Sequence, residues 1–381
     1  MSVPDACPGI LRLHEAADGH LARVRLPGGH INARGLRAVA EAGRLGNEIV
    51  ELTSRAGLQV RGLAPDSAEV VAHHLSAGGL LPSPAHDRVR NVLAPPLGGR
   101  GVGAMGETDL IVDGIDRALR GDSGLAALPG RFLFAVDDGT RTLHPILADV
   151  ELAAEDAGFR LVLAGTPTRQ VVSGAEAAPA AIDAARAFAE LAAAQAPGAW
   201  RVSDLPGGGR ALARWLGLDV AEPPAARATA PPTGRDGPGV VAQRDGAAAV
   251  AALPPLARLD PSQLDALAAF LAPSAALRCS PWRTLTFVDV PSSEAGTLAD
   301  ELRALGLILS GDSGWVGLSA CSGLGACARA LADVRAGAAL RAAARDAASP
   351  REHWSGCERR CGEPRDAGVR VVATPAGLAR L

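Results

Sequence analysis

The chain has 381 residues, 48% of them hydrophobic, and a net charge of −3. It can bury more than one core, and its charge balance gives no reason to expect nucleic acid or an anionic membrane as a partner. Aromatic residues make up only 3%, tyrosine is absent and all 38 basic residues are arginines. No base-stacking platform is visible, and no site can use a lysine.

The first residues, Met1–Gly9, carry neither a basic nor an apolar leader-like stretch, and no run approaches membrane-spanning length. A cytoplasmic protein with reduced cysteines is expected.

An internal repeat with a period near 228 follows. A strand over Ala22–Leu26 ends at Pro27, and its counterpart Ala248–Leu253 precedes Pro254. Leu36, Val39, Ala40 and Gly43 take helical spacing, as do Leu264, Leu267, Ala268 and Leu271 in the second copy. Asp260, Pro261 and Gln263 mark the start of that second helix. Strands are expected near Ile49–Thr53 and Leu58–Gly62, and again at Ala276–Cys279 and Leu285–Asp289. Helices close each copy, at Ser67–Ala77 and Ser293–Leu305. Each copy therefore reads strand–helix–strand–strand–helix, a ferredoxin-like α+β unit.

The units span residues 1–82 and 246–309, each followed by a larger mixed α/β segment, 83–219 and 310–381. In the first segment, strands are expected at Phe132–Val136 and Phe159–Leu163, a helix at Ala180–Ala194 and a short helix near Arg210–Leu216. The Gly- and Pro-rich stretch 220–245 reads as a linker. The glycine-rich Gly98–Gly106 lacks the setting of a phosphate loop and reads as a flexible loop. Asp366–Ala373 reads as a last strand. Pseudo-twofold symmetry between the halves would create a cleft, where ligands commonly bind.

Four cysteines cluster near the C-terminus: Cys321, Cys327, Cys357 and Cys361, spaced C-x5-C and C-x3-C. Two disulfides or four unrelated thiols remain open on spacing alone. Clustered thiols in a reducing compartment suit a soft metal centre, zinc or an iron–sulfur cluster. The gaps are wide for a single ion, and Ser322, Gly323, Gly325 and Ala326 leave room for a [4Fe–4S] cube. A helical run Ala328–Ala347 would place Cys327 at a helix N-terminus, where the dipole favours a thiolate. Cys7 and Cys279 lie outside this pattern.

The cysteine spacing resembles the cluster signature of the nitrite/sulfite reductase family. Glu51–Leu63 resembles its T-x-R-x-x-x-Q segment, and Arg90–Val92 and Leu128–Asp138 resemble two further elements. Within the family the chain is most similar to the precorrin-3B synthase subfamily, through C-P-G-I-L-R at Cys7, A-V-D-D-G at Ala135, S-P-W-R at Ser280 and H-x-S-G-C at His353. The resemblance implies an internally duplicated α+β fold: two ferredoxin-like half-domains plus two larger mixed α/β segments. It implies a [4Fe–4S] cluster on the four cysteines and O2-dependent hydroxylation of precorrin-3A, with electrons from an external reductase or ferredoxin. Arg55, Gln59, Arg61, Arg90, Asn91 and Arg131 fall in the family-like elements and would hold the substrate's carboxylates, a task that suits the guanidinium fork. His353 would be catalytic, orienting oxygen or ligating a mononuclear non-haem iron; a hydrogen-bonded structural histidine is the other reading. The alternative within the family is a sirohaem-dependent nitrite or sulfite reductase, in which Cys361 would bridge cluster and haem. Against it, the family's lysine pair falls here at Arg131 and Leu133. A non-catalytic tetrapyrrole carrier is the third possibility.

Overall fold

The computed structural model describes residues 7–222, 237–346 and 348–381. Four sheets organise it. The first runs in the order His14–Ala16, Gly19–Val24, Leu58–Leu63, Val50–Leu52 and Arg258–Leu259. The second runs Gly239–Ala242, Ala248–Ala252, Leu285–Val290, Ala276–Cys279 and His30–Asn32. The duplication is thus present, and it is interlocked. Each sheet takes its last strand from the other copy: Arg258 pairs with Glu51, and Ala276 with Asn32.

The chain crosses over through a turn that needs left-handed backbone. In the first copy Gly28 and Gly29 supply it, at φ 62° and 75°. In the second, Leu256 and Ala257 adopt the same region at φ 49° and 63°, where a side chain costs strain. After each crossing a helix begins, Ala33–Arg44 capped by Asn32 and Pro261–Ala269 capped by the reciprocal Asp260–Gln263 box. The two helices pack on each other, and one hydrophobic core runs through both units from Val24 and Val60 to Val250 and Leu285. Gly79 and Gly306, at φ 78° and 80°, end equivalent stretches after the second helix of each copy.

The larger segments repeat a second pattern. Val92–Leu93, Phe134–Asp137 and Val150–Glu155 are parallel, followed by antiparallel Gly158–Leu163 and Thr166–Val172. Leu318–Ala320, Glu352–Ser355 and Val369–Thr374 are likewise parallel, followed by antiparallel Gly377–Arg380. Helices Asp109–Gly121 and Gly174–Gln195 cover the first of these sheets over a core of its own.

Three expectations are corrected. The stretch 220–245 is not wholly a linker: Gly239–Ala242 is the edge strand of the second sheet, paired antiparallel with Ala248–Ala252. Residues 223–236 of that stretch lie outside the described residues. Val369–Thr374 is not the last strand, since Gly377 at φ 116° turns the chain back into a hairpin. Finally, the helix after the first cysteine loop is only Val334–Ala342, started by Asp333, whose carboxylate accepts from Arg335 N and Ala336 N. Cys327 therefore lies in a turn and gains no helix dipole; Ala347 of the expected run is outside the described residues.

The A-V-D-D-G stretch is structural. The Asp138 carboxylate accepts from Gly99 N, Thr140 N and Thr140 Oγ1, which pins the glycine-rich loop. Burial and Asp138 push the Asp137 carboxyl up to about 6, and burial and Asp137 push Glu151 up to about 7.

Two outcomes follow from this architecture. A Cβ at Gly29 would sit 2.0 Å from the Cys279 carbonyl oxygen, so Gly29→Ala should destabilise the protein by roughly 2–4 kcal/mol in urea unfolding, since neither backbone can yield cheaply. Because the Glu151 carboxyl is raised, ionising it opposes folding. Glu151→Gln should therefore be more stable than the parent above pH 7, with the difference fading as pH falls towards the ordinary carboxylate range; melting curves across pH check this.

Candidate cluster site and arginine cleft

The two cysteine loops leave neighbouring parallel strands at the same end. The register Ala320–Trp354 brings Cys321 alongside Ser355, one residue before Gly356. Cys321 N donates to Trp354 O at 2.9 Å, Gly356 N donates to Cys321 Sγ at 3.1 Å, and Leu331 N donates to Gly356 O at 2.7 Å. Gly323 and Gly325, at φ 76° and 86°, let the first loop fold back on itself. Burial pushes the Cys361 thiol up, against Arg359, and the nearby Cys357, Cys321 and Cys327 thiols add to the rise. The other three thiols are thus near enough to act on Cys361. Yet among the described residues no three His, Cys, Asp or Glu side chains form a group that could hold one metal ion. Four cysteine thiols on two adjoining loops are a soft donor set of the kind that holds zinc or an iron–sulfur cluster. The N–H···S bond to Cys321 fits a thiolate ligand as well.

Among the described residues His353 is not part of a group of three His, Cys, Asp or Glu side chains. It is 1% exposed, with Nδ1 2.8 Å from Ser319 Oγ and Nε2 without a hydrogen bond of good geometry. Burial and Arg283 lower its pKa to about 4, against Glu363 and the Cys361 backbone. The ring is therefore neutral near pH 7, between its strand and the second cysteine loop.

The first cysteine loop is held by the other half of the molecule. Glu51, 9% exposed, receives Arg258 at 2.9 Å, Gln59 at 3.1 Å and both Arg61 and Arg335 at 3.5 Å. Arg61 also pairs with Asp18 at 2.8 Å and donates to Ala326 O at 3.1 Å. Arg335 donates to Leu256 O at 2.5 Å and to Cys321 O at 3.4 Å. Burial, partly offset by Glu51, lowers the Arg335 pKa to about 10.

A cavity of about 200 Å³ opens between the halves. Arg55, Arg201, Arg283, Arg351, Arg365 and Trp282 line it, with Glu363 and Asp366 as the acidic residues of the wall. Its rim includes Gly362–Asp366, which directly follows Cys361. Burial and then Arg201 lower Arg55 to about 10; burial and then Arg351 lower Arg283. Arg201 and Arg351 thus add positive charge to the cleft beside Arg55 and Arg283, although Arg201 is paired with Asp149 at 2.6 Å and Arg351 with Asp366 at 3.5 Å.

Of the six residues expected to face a substrate, only Arg55 lines this cavity. It also donates to the Gly130 and Arg131 carbonyls. Gln59 and Arg61 belong to the Glu51 network. Arg90 is bound to Asp116 at 2.6 Å, and the Asn91 amide donates to the Arg88, Gly130 and Phe132 carbonyls. Arg131 stacks over Trp200 at 4.3 Å. Arg90 thus serves Asp116, and the first cysteine loop is met by Arg61 and Arg335. The sequence offered no signal for Arg201, Arg351 or Arg365, which come from unrelated stretches, whereas Trp282 and Arg283 lay in the S-P-W-R motif.

Glu51→Ala would leave two buried guanidinium groups, Arg61 and Arg335, and the half-buried Arg258 without their shared carboxylate, a loss of about 3–5 kcal/mol. Iron and acid-labile sulfide per chain should fall in that variant even where it remains folded at low temperature, because the carbonyls of Ala326 and Cys321 lose their fixed donors. Iron analysis beside circular dichroism separates the two effects.

Comparison with known proteins agrees with the duplication. The nitrite/sulfite reductase ferredoxin-like half domain matches twice, over residues 14–78 and 241–305. Ferredoxin–nitrite reductase of Synechococcus elongatus is 28% identical over 34% of this chain and 27% of its own length. Precorrin-3B synthase of a Sinorhizobium species is 29% identical over 47% of this chain and 39% of its own. The matches thus span well under half of either relative. The solved Mycobacterium tuberculosis NirA protein shares the fold with a TM-score of 0.76, covering 95% of this chain and 73% of that one at 19% identity. The chain is therefore built on two interlocked copies of the nitrite/sulfite reductase ferredoxin-like half domain, and similarity to both kinds of oxidoreductase accompanies that fold.

Proposed function

We propose that the protein is an iron–sulfur oxidoreductase of corrin biosynthesis that hydroxylates precorrin-3A to precorrin-3B with O2 and closes a ring lactone. The observation that carries this reading is the arginine-lined cavity walled by the stretch directly after Cys361. A polycarboxylate ring held there lies beside the cysteine loops. Cys321, Cys327, Cys357 and Cys361 would hold a [4Fe–4S] cluster, which supplies single electrons when bound. Hydroxylation by O2 with release of water consumes two electrons and two protons, so an external donor such as a ferredoxin or reductase is implied.

The side chains divide the work. Arg55 and Arg283 would hold carboxylates, a task that suits the guanidinium fork, beside Arg201, which is itself paired with Asp149 at 2.6 Å. Leu133, Ile146 and Trp282 give the cavity an apolar wall that excludes water from the ring. Leu133 stands where the resembled family has a lysine. An apolar residue there supports an organic ring as substrate more than a small oxyanion, whose reduction needs positive charge and protons at hand. The cavity is also smaller than the ~300–1,000 Å³ usual for ligand sites. Entry of a macrocycle therefore requires the Gly362–Asp366 stretch to move outward.

The second reading is a sirohaem-dependent nitrite or sulfite reductase, favoured by the nitrite reductase match and the NirA-like fold. Anaerobic purification with a visible spectrum and iron and sulfide counts separates the two. The first reading expects a broad shoulder near 400 nm and about four iron and four sulfide per chain, lost in Cys327→Ser. Sharp red-region haem bands would move the assignment to the second reading. A colourless zinc protein would overturn both.

A further inference from the structure

The two copies of the repeat place equivalent hairpin turns on the same cavity. In the first copy Val50–Leu52 turns into Leu58–Leu63 through Ser54, Arg55 and Ala56. In the second, Ala276–Cys279 turns into Leu285–Val290 through Pro281, Trp282 and Arg283. The hydrogen bonds correspond one by one. Thr53 N donates to Gly57 O at 2.9 Å, and Ser280 N donates to Thr284 O at 2.9 Å. Ala56 N donates to Thr53 O at 3.2 Å, and Arg283 N donates to Ser280 O at 3.0 Å. Thr53 Oγ1 accepts from Arg55 N and Gly57 N, and Ser280 Oγ accepts from Trp282 N and Thr284 N.

A three-residue hairpin of this kind requires left-handed backbone at its last loop position, which favours glycine. Neither copy has one there: Ala56 stands at φ 55° and Arg283 at φ 68°. Alanine is the smallest side chain that can bear this. An arginine gains nothing for the turn, so the place of its guanidinium is the feature that matters. That guanidinium lines the cavity, and its Nη2 donates only weakly to Gly362 O at 3.3 Å. This is the stretch that must move for a macrocycle to enter, so entry would release Arg283 as it delivers an anion. Trp282 is fixed beside it, with Nε1 donating to Thr142 O at 3.2 Å and Arg351 lying 5.1 Å from the ring centroid.

We propose that the Ser280–Thr284 turn is a ligand-recognition element, the counterpart of the Arg55 turn, in which Arg283 pairs with a carboxylate of a flat polycarboxylate ligand and Trp282 forms the wall against its ring. The inference rests on the reading of the cavity as a tetrapyrrole site, and it makes the second copy of the repeat a direct contributor to specificity.

The test uses the purified full chain with its cluster and uroporphyrin as probe, followed by porphyrin fluorescence, with a neutral amide of the same porphyrin as control. Arg283→Gly should weaken uroporphyrin binding about tenfold or more, leave the amide unaffected, and keep a thermal midpoint equal to or above the parent's. Ala56→Gly relieves the same backbone strain in the first copy and should bind uroporphyrin as the parent does. Unchanged affinity in Arg283→Gly would overturn the proposal while the cavity reading stands. Loss of both affinity and thermal stability in that variant would also overturn it, since the turn would then be structural. If the parent itself binds no uroporphyrin, the tetrapyrrole reading falls and takes this inference with it.

Discussion

One buried carboxylate sets the relation between the duplicated units and the cysteine loops. Glu51 sits on a strand of the first sheet, Arg258 on the strand that crosses in from the second copy, and Arg335 on the helix after the first cysteine loop. None of these charges would tolerate burial alone. Such a network need not make the fold more stable than a packed apolar core would. What it supplies is registration: each arginine also reaches a backbone carbonyl or a strand, so the loop bearing Cys321 and Cys327 takes its position from the opposite half of the chain.

The cleft follows from the same duplication. Two pseudo-equivalent turns approach one space, and the segment after Cys361 closes it. Positive charge is concentrated there in a chain whose overall charge is slightly negative. Such local concentration acts mainly on ligands that come within a Debye length, about 8–10 Å at ordinary salt. It therefore favours an anion at the mouth of the cleft without making the whole surface cationic.

Much of the fold was legible because periodicity and caps are local signals. The Asp260–Gln263 box, the paired helices and the hairpin strands all lay where spacing put them. The crossing of strands was not legible. His30–Asn32 and Arg258–Leu259 are too short to announce themselves, and pairing between copies leaves no local trace. The edge strand Gly239–Ala242 was hidden by the glycines and prolines around it. The helix expected at Cys327 failed because alanine-rich composition carries propensity but no start signal, and the start lay at Asp333. Among site residues the cysteines could be found by spacing. The arginines could not be sorted, because a guanidinium serves a buried carboxylate such as Glu51 or Asp116 as readily as a ligand. Motif membership alone does not distinguish the two.

The reciprocal strand exchange also bears on how the chain is made. His30–Asn32 finds its strand partner at Ala276–Arg278, and Val50 and Glu51, paired with Val60 and Gln59 on one side, meet Leu259 and Arg258 on the other. During synthesis the first unit therefore waits, with an open sheet edge and an uncovered helix face, until more than half the chain has emerged. Contacts so distant in sequence slow folding and prolong exposure of that edge. Neither half is a finished domain without the other.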